Sequence, residues 1–172
     1  GDRLGPLLFQ FPYFKKDAFP SLDSFLERLA PFLEKIPRGR SYALEVRNRA
    51  WVASPLLDLL RRHGIAYAII DHPWMPTIED LMKKHDPVTA DFAYVRWLGD
   101  RKGIEARTTT WEKLIVDRTA EMERWVPALA GLLMRGIDLY GYFNNHYAGH
   151  APGSIALLRE IWRQRLNPAD PC

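Results

Sequence analysis

The chain reads as an α/β protein built on a parallel sheet. Three observations predict this. Five short apolar runs, starting about 25 to 45 residues apart, alternate with segments of helical periodicity. Each apolar run ends in polar side chains, as at Glu45-Val46-Arg47, at Arg96, and most visibly in Tyr140-Gly141-Tyr142-Phe143-Asn144-Asn145-His146. No linker or low-complexity stretch interrupts the alternation. Polar groups gathered at the carboxyl ends of strands are where such proteins keep their chemistry.

The elements follow in order. Leu7 to Phe11 predicts a short buried strand, stopped by Pro12. Ser21 to Ile36 predicts a helix: Leu22, Phe25, Leu26, Leu29, Phe32, Leu33 and Ile36 recur at three- and four-residue spacing. Pro20 suits its start, and Pro31 is expected to kink it. Tyr42 to Arg47 is the second strand. Ser54-Pro55 then opens a helix, as cap and first-turn proline, and Gly64 closes it. Tyr67 to Asp71 is the third strand. Ile78 to Lys84 is a short helix behind Thr77 and Asp80, which have capping-box spacing. Phe92 to Trp97 is the fourth strand. A polar loop containing Thr108, Thr109 and Thr110 leads to a helix from about 118 to 134, with Met122, Trp125, Val126, Leu129 and Leu133 on one face. Asp138 to Asn144 is the fifth strand, and a helix from about Gly153 to Arg165 is the last element. The expected organisation is one domain over 1–166 and a frayed tail over 167–172.

Composition narrows the class. The 172 residues suffice for one domain with a sizeable core. With 47% hydrophobic and 26% charged residues, the balance is that of an ordinary globular protein. No apolar run approaches the roughly 20 residues of a membrane span. The start, Gly1-Asp2-Arg3-Leu4-Gly5, has no basic-then-apolar leader pattern. Cys172 is the lone cysteine, which fits a reducing cytoplasm. The net charge of +3 permits anionic partners without demanding nucleic acid. The sequence contains no GxGxxG, P-loop, paired CxxC or GxSxG. Dinucleotide oxidoreductases, nucleotide-hydrolysing motors and zinc ribbons are thereby disfavoured.

Four blocks carry a resemblance. They are Leu4-Gly5-Pro6-Leu7-Leu8-Phe9-Gln10-Phe11-Pro12; Leu44-Glu45-Val46-Arg47 with Trp51; Ala90-Asp91-Phe92-Ala93-Tyr94-Val95-Arg96; and Tyr142-Phe143-Asn144-Asn145 with Gly149-His150-Ala151-Pro152. In order and spacing the chain resembles the domain-of-unknown-function-72 (YecE-like) family over roughly residues 4 to 165. The resemblance implies a TIM-like (β/α) barrel, here incomplete, with about five of the eight strands. Relatives begin with further strands and a Gly-Thr-Ser-Gly-Trp-like segment that nothing here matches. The resemblance therefore leads us to expect the carboxyl-terminal part of the domain, whether from a truncated gene, from processing or as a piece cut from a longer chain. Open sheet edges would then invite self-association. Asn48-Arg49-Ala50 departs from the His and Ser that relatives often carry before the Trp. The family supplies a fold and a location, not a substrate, and no cofactor is implied.

Strand alternation places candidate site residues. If the faces carrying Gln10, Glu45 and Arg47, Asp71, Arg96, and Asn144 point into the barrel, these residues converge at its mouth. His72, Asn145, His146 and His150 would stand on adjoining loops. Arg47 and Arg96 would clamp a phosphate or carboxylate. Glu45 or Asp71 would act as general base or acid, and Gln10, Asn144 and Asn145 would orient hydroxyls. The bland alternative is that Glu45, Arg47, Arg96 and Asp71 merely pair with one another, and that Asn145 and Gly149 only turn the loop. His146 and His150 are four apart, a ligand spacing, but Gly149 and Pro152 argue against a helix there. No metal site is assigned. Trp51, Trp74 and Trp97 follow strand ends, either as stacking platforms or as loop anchors. The leading expectation is an enzyme acting on a small polar or anionic substrate. The alternatives are a nucleic-acid binding or processing protein and a non-catalytic remnant.

Overall fold

The computed structural model describes residues 4–166. Five parallel strands, β1 (Leu7–Gln10), β2 (Tyr42–Glu45), β3 (Ala66–Asp71), β4 (Phe92–Trp97) and β5 (Asp138–Phe143), lie side by side in chain order. Helices α1 (Leu22–Lys35), α2 (Ser54–His63), α3 (Ile78–Lys84), α4 (Arg101–Glu105), α5 (Thr119–Met134), α6 (Asn145–Ala148) and α7 (Ala151–Leu166) follow the strands. Sequential parallel order is that of a (β/α) barrel wall; a doubly wound sheet would reverse direction partway. The architecture is an open, five-stranded portion of a TIM-like barrel.

The two faces of the sheet differ. Leu44, Val46, Tyr67, Ile69, Val95 and Trp97 point into the main core, where α1, α2, α3, α5 and α7 cover them. The opposite face carries a small separate cluster, Ala43, Ala66, Ala68, Phe92 and Tyr94 with Leu8 at its margin. No helix residue joins it among the described residues. On β5, Tyr140 and Tyr142 continue this inner face and remain partly open to solvent.

The local signals explain most boundaries. Ser21 caps α1 by accepting from the Ser24 amide at 3.2 Å, and Phe25, Leu29 and Leu33 bury its inward stripe. The helix runs through Pro31; the Glu27 carbonyl that loses its donor belongs to an exposed residue, which water can satisfy. Thr77 caps α3 as its spacing predicts, accepting from the Asp80 amide at 3.2 Å. Three expectations need correction. Ala53, not Ser54, occupies the cap position of α2, and Ser54 with Pro55 forms its first turn. α7 starts at Ala151 rather than Gly153, since Pro152 is tolerated in a first turn. α4 and α6 were not anticipated, because helices of five and four residues are too short for a periodic apolar stripe. The tail over 167–172, with Cys172, lies outside the described residues. No helix among the described residues is long and apolar enough to cross a membrane.

Candidate functional site at the carboxyl-terminal mouth

Strand register brings four of the expected residues together. Gln10 is level with Glu45 across β1 and β2, and both project on the inner face. Glu45 is fully buried, and its two carboxylate oxygens have different partners. Arg47 donates its Nε to Oε1, and Arg96 donates Nη1 to Oε2 at 2.5 Å. The same Arg96 nitrogen reaches the Gln10 Oε1 at 2.8 Å. To do so the Arg96 side chain passes from β4 in front of β3. On that face of β3, Ile70 is level with Arg96 and Ala68 is level with Glu45 and Tyr94, so the small Ala68 side chain leaves room at the Glu45 end of the path. Two cations thus share one buried anion. The Nη atoms of Arg47, and the Nε and Nη2 of Arg96, have no partner among the described residues, and both side chains are about one-fifth exposed.

Beside this network lies a cavity of about 290 Å³, lined by Gln10, Pro12, Tyr13, Arg47, His72 and Trp74. Burial and the nearby Arg47 cation hold the His72 imidazole below its usual pKa, so it is neutral at pH 7. Its Nδ1 accepts from the Trp74 amide at 3.3 Å, which leaves Nε2 as the protonated nitrogen. The β1–α1 and β3–α3 loops that carry Tyr13 and Trp74 are both tied to the segment after β2. Asn48 is buried and clasps Phe14 from both sides, Oδ1 accepting from its amide and Nδ2 donating to its carbonyl, each at 2.9 Å. Arg49 donates to the Met75 carbonyl at 3.2 Å. Asn48 and Arg49 therefore set the cavity walls from outside it. The sequence marked Asn48 and Arg49 only as a departure from relatives and gave them no site role; a buried Asn after a strand looks the same as a turn Asn until its partners are known. The three tryptophans divide accordingly. Trp51 stacks on Phe25 at 4.7 Å and Trp97 on Phe143 at 4.2 Å, both as buried anchors. Only Trp74 stands free at the mouth.

Asp71 does not join Glu45. Its register partner is Trp97, and like Trp97 it projects toward the helices. Trp125 of α5 donates its indole N–H to Asp71 Oδ2 at 2.8 Å, and the buried Tyr147 hydroxyl stands nearby without completing a hydrogen bond. Burial raises the Asp71 pKa, only partly opposed by the Trp125 hydrogen bond and Arg118. A second cavity, also about 290 Å³, opens here between the β3–α3 loop and α5, with Arg118, Glu121 and Arg124 on its wall. The expectation that all polar strand ends share one face is therefore corrected: β3 contributes Asp71 to the helix side.

The residues after β5 form a loop scaffold. Asn144 caps α6, accepting from the His146 amide at 3.0 Å and facing His146 Nδ1 at 2.7 Å. His146 Nε2 meets Glu105 of α4 at 3.2 Å, with Trp111 edge-on to the ring. Asn145 Oδ1 accepts from the Ala151 amide at 2.8 Å, and His150 Nδ1 from the Gly153 amide at 3.2 Å. These contacts turn the chain from β5 into α7; none of them involves the Glu45 network. Gly99 permits the close seating of α6: its φ is +68°, and a Cβ there would sit 2.4 Å from the His146 carbonyl oxygen. Among the described residues no three His, Cys, Asp or Glu side chains are grouped to hold a metal ion.

Comparison with known proteins agrees with this architecture. A crystal structure of a DUF72 family protein from Thermotoga maritima is 23% identical, with a TM-score of 0.64, and the match covers 96% of this chain and 58% of that one. One of a DUF72 family protein from Enterococcus faecalis is 18% identical, with a TM-score of 0.58, covering 94% and 61%. The chain thus spans about three-fifths of the length of these neighbours, and at such identities the likeness concerns the fold. No curated protein matches the chain. The family model described as protein of unknown function DUF72 matches residues 1–171, and the chain belongs to that family.

Proposed function

We propose that the mouth binds a small anionic molecule, phosphorylated or carboxylated, and that the protein is an enzyme acting on it. One observation carries the reading. Glu45 neutralises only one of the two guanidinium groups it holds, so the site keeps a positive charge, with Arg47 lining a cavity and Arg96 joined to it through Gln10 and Glu45. Guanidinium N–H edges match the oxygens of a phosphate or carboxylate. Glu45 is a fixed counter-charge in this proposal, since both of its oxygens are engaged and it is shielded from solvent. Gln10 orients Arg96. His72, neutral and with its Nε2–H unpartnered among the described residues, is the group placed to donate a hydrogen bond to a bound ligand.

The test is thermal-shift titration with inorganic phosphate and simple carboxylates, with a short oligonucleotide as contrast. Stabilisation by the small anions, lost in Arg96→Ala and in Arg47→Gln while both variants still melt cooperatively, is the expected result. Unchanged stabilisation in both variants would remove the clamp. A steeply salt-dependent shift with the oligonucleotide alone would favour nucleic acid instead.

A further inference from the structure

Building on the anion reading, we propose that the ligand of this mouth is a single ring bearing one phosphate or carboxylate, its anionic group on Arg47, with the charge of Arg96 behind Gln10, and its ring face against Tyr13 and Trp74. Tyr13 and Trp74 are 64% and 74% exposed, the two most exposed aromatic side chains among the large hydrophobic residues of the described chain. Both line the cavity that also contains Arg47, Gln10 and His72. Exposed aromatic rings on loops ordinarily lie wherever the loop drifts, but these two loops are held. The doubled Asn48 clasp fixes the residue after Tyr13, and the His72 ring and Arg49 fix the residues at and after Trp74. Holding an exposed ring in place removes in advance much of the ordering that binding would require. His72 lies edge-on to Trp74 at 5.4 Å, which further restricts the indole.

Size and chemistry limit the ligand. A cavity of about 290 Å³ lies at the lower end of the range for small-molecule sites, which fits one ring and one anionic group rather than a dinucleotide. Indole and phenol faces accept either a flat aromatic ring or the C–H face of a sugar. The shared chemistry is therefore a ring joined to an anion.

Isothermal titration of the whole chain with matched probes tests this. Phenyl phosphate and glucose 6-phosphate are compared with inorganic phosphate, benzoate with acetate, and glucose serves as a ring without charge. At least one ring-bearing anion should bind about five- to a hundredfold more tightly than its ringless partner, the usual worth of one stacking face. Trp74→Ala should bring that ligand down to the ringless affinity, and Arg47→Gln should abolish binding of every anion. Tyr13→Ala, at an equally exposed position, repeats the ring test where Trp74→Ala is compromised. Whether phenyl phosphate or glucose 6-phosphate gains more identifies the kind of ring. Equal affinity for ringed and ringless anions, lost together in Arg47→Gln, would overturn the ring and leave the anion site standing. No binding of any anion by cooperatively folded protein would overturn both.

Discussion

Glu45 and Asp71 end adjacent parallel strands, yet they sit in opposite settings. Glu45 lies on the inner face, sealed from water and held by two arginines at the edge of a cavity. Asp71 lies on the helix side, held by an indole N–H and raised in pKa by burial. One carboxylate is compensated by charge, the other by a neutral donor. Both were reasonable candidates for acid–base work, and the difference teaches that a polar strand end locates a site only once the strand's facing is known. The inner setting organises cations for a ligand. The outer setting tolerates a proton.

This contrast can be broken by substitution. The largest effect is expected from Glu45→Ala, which leaves two guanidinium groups beside an apolar cluster; loss of one partner from a buried pair costs about 3–5 kcal/mol, less here to the extent that the arginines reach water. Urea denaturation measures it, and a loss no greater than that of an exposed carboxylate would show that the pairs contribute little. Ala68→Leu comes next. The larger side chain blocks the path of Arg96 across β3 and overpacks the inner face, at about 1–3 kcal/mol. It should also weaken anion binding without touching a charged residue. Retained anion affinity would mean that Arg96 does not need that route.

Asp71→Asn should be milder and opposite in character. Asparagine can still accept from Trp125, so the fold is kept. Because the folded-state pKa of Asp71 is raised, the folded protein holds a proton that the unfolded chain has already lost. Stability from this group is therefore full below about pH 4, the ordinary carboxylate value, and falls as pH rises from there to the raised folded value. Asp71→Asn should flatten that fall, seen as a smaller difference in denaturation midpoint between pH 3.5 and pH 7, and should leave anion binding unchanged. A variant whose pH profile overlays the parent would contradict the raised pKa. The smallest effect is expected from Asn144→Ala, which removes the α6 cap at about 1 kcal/mol. Its effect on anion affinity should be nil, since Asn144 bonds His146 and not the arginine network. A marked fall in affinity would show that the β5 loop reaches the mouth after all.

Much of the fold was legible in the sequence. The capping spacing at Thr77 and Asp80, the stripe of Phe25, Leu29 and Leu33, and the rhythm of apolar runs each depend on contacts within one element, so periodicity suffices to reveal them. The meeting of Gln10, Glu45, Arg47 and Arg96 was legible too, in that three of them stand on strands whose alternation separates polar from apolar positions and Arg47 follows β2 two residues on. Asn144, Asn145, His146 and His150 looked equally promising by composition. Asn144, Asn145 and His150 instead accept from backbone amides around a tight turn, and His146 is held between Asn144 and Glu105, work that Asn and His perform with no outward sign in sequence.

What the sequence by itself determined is the set of elements, their order and the parallel sheet, because these follow from local propensity and from the short range of βα connections. Only the tertiary structure decided the facing of β3. Before Asp71 its residues Ala66-Tyr67-Ala68-Ile69-Ile70 are buried and largely apolar on both alternations, as in a strand covered on both sides, so no pattern distinguishes inward from outward. Pairing of Ala43 with Ala66 and of Ala68 with Tyr94 settles it, and those pairings send Asp71 to the helices while placing the small Ala68 level with Glu45. Likewise the freedom of Trp74, against the burial of Trp51 and Trp97, depends on which helices and loops arrive beside each indole. A strand's own residues cannot encode its neighbours' positions, and a site assembled from several strands exists only when those neighbours are in place.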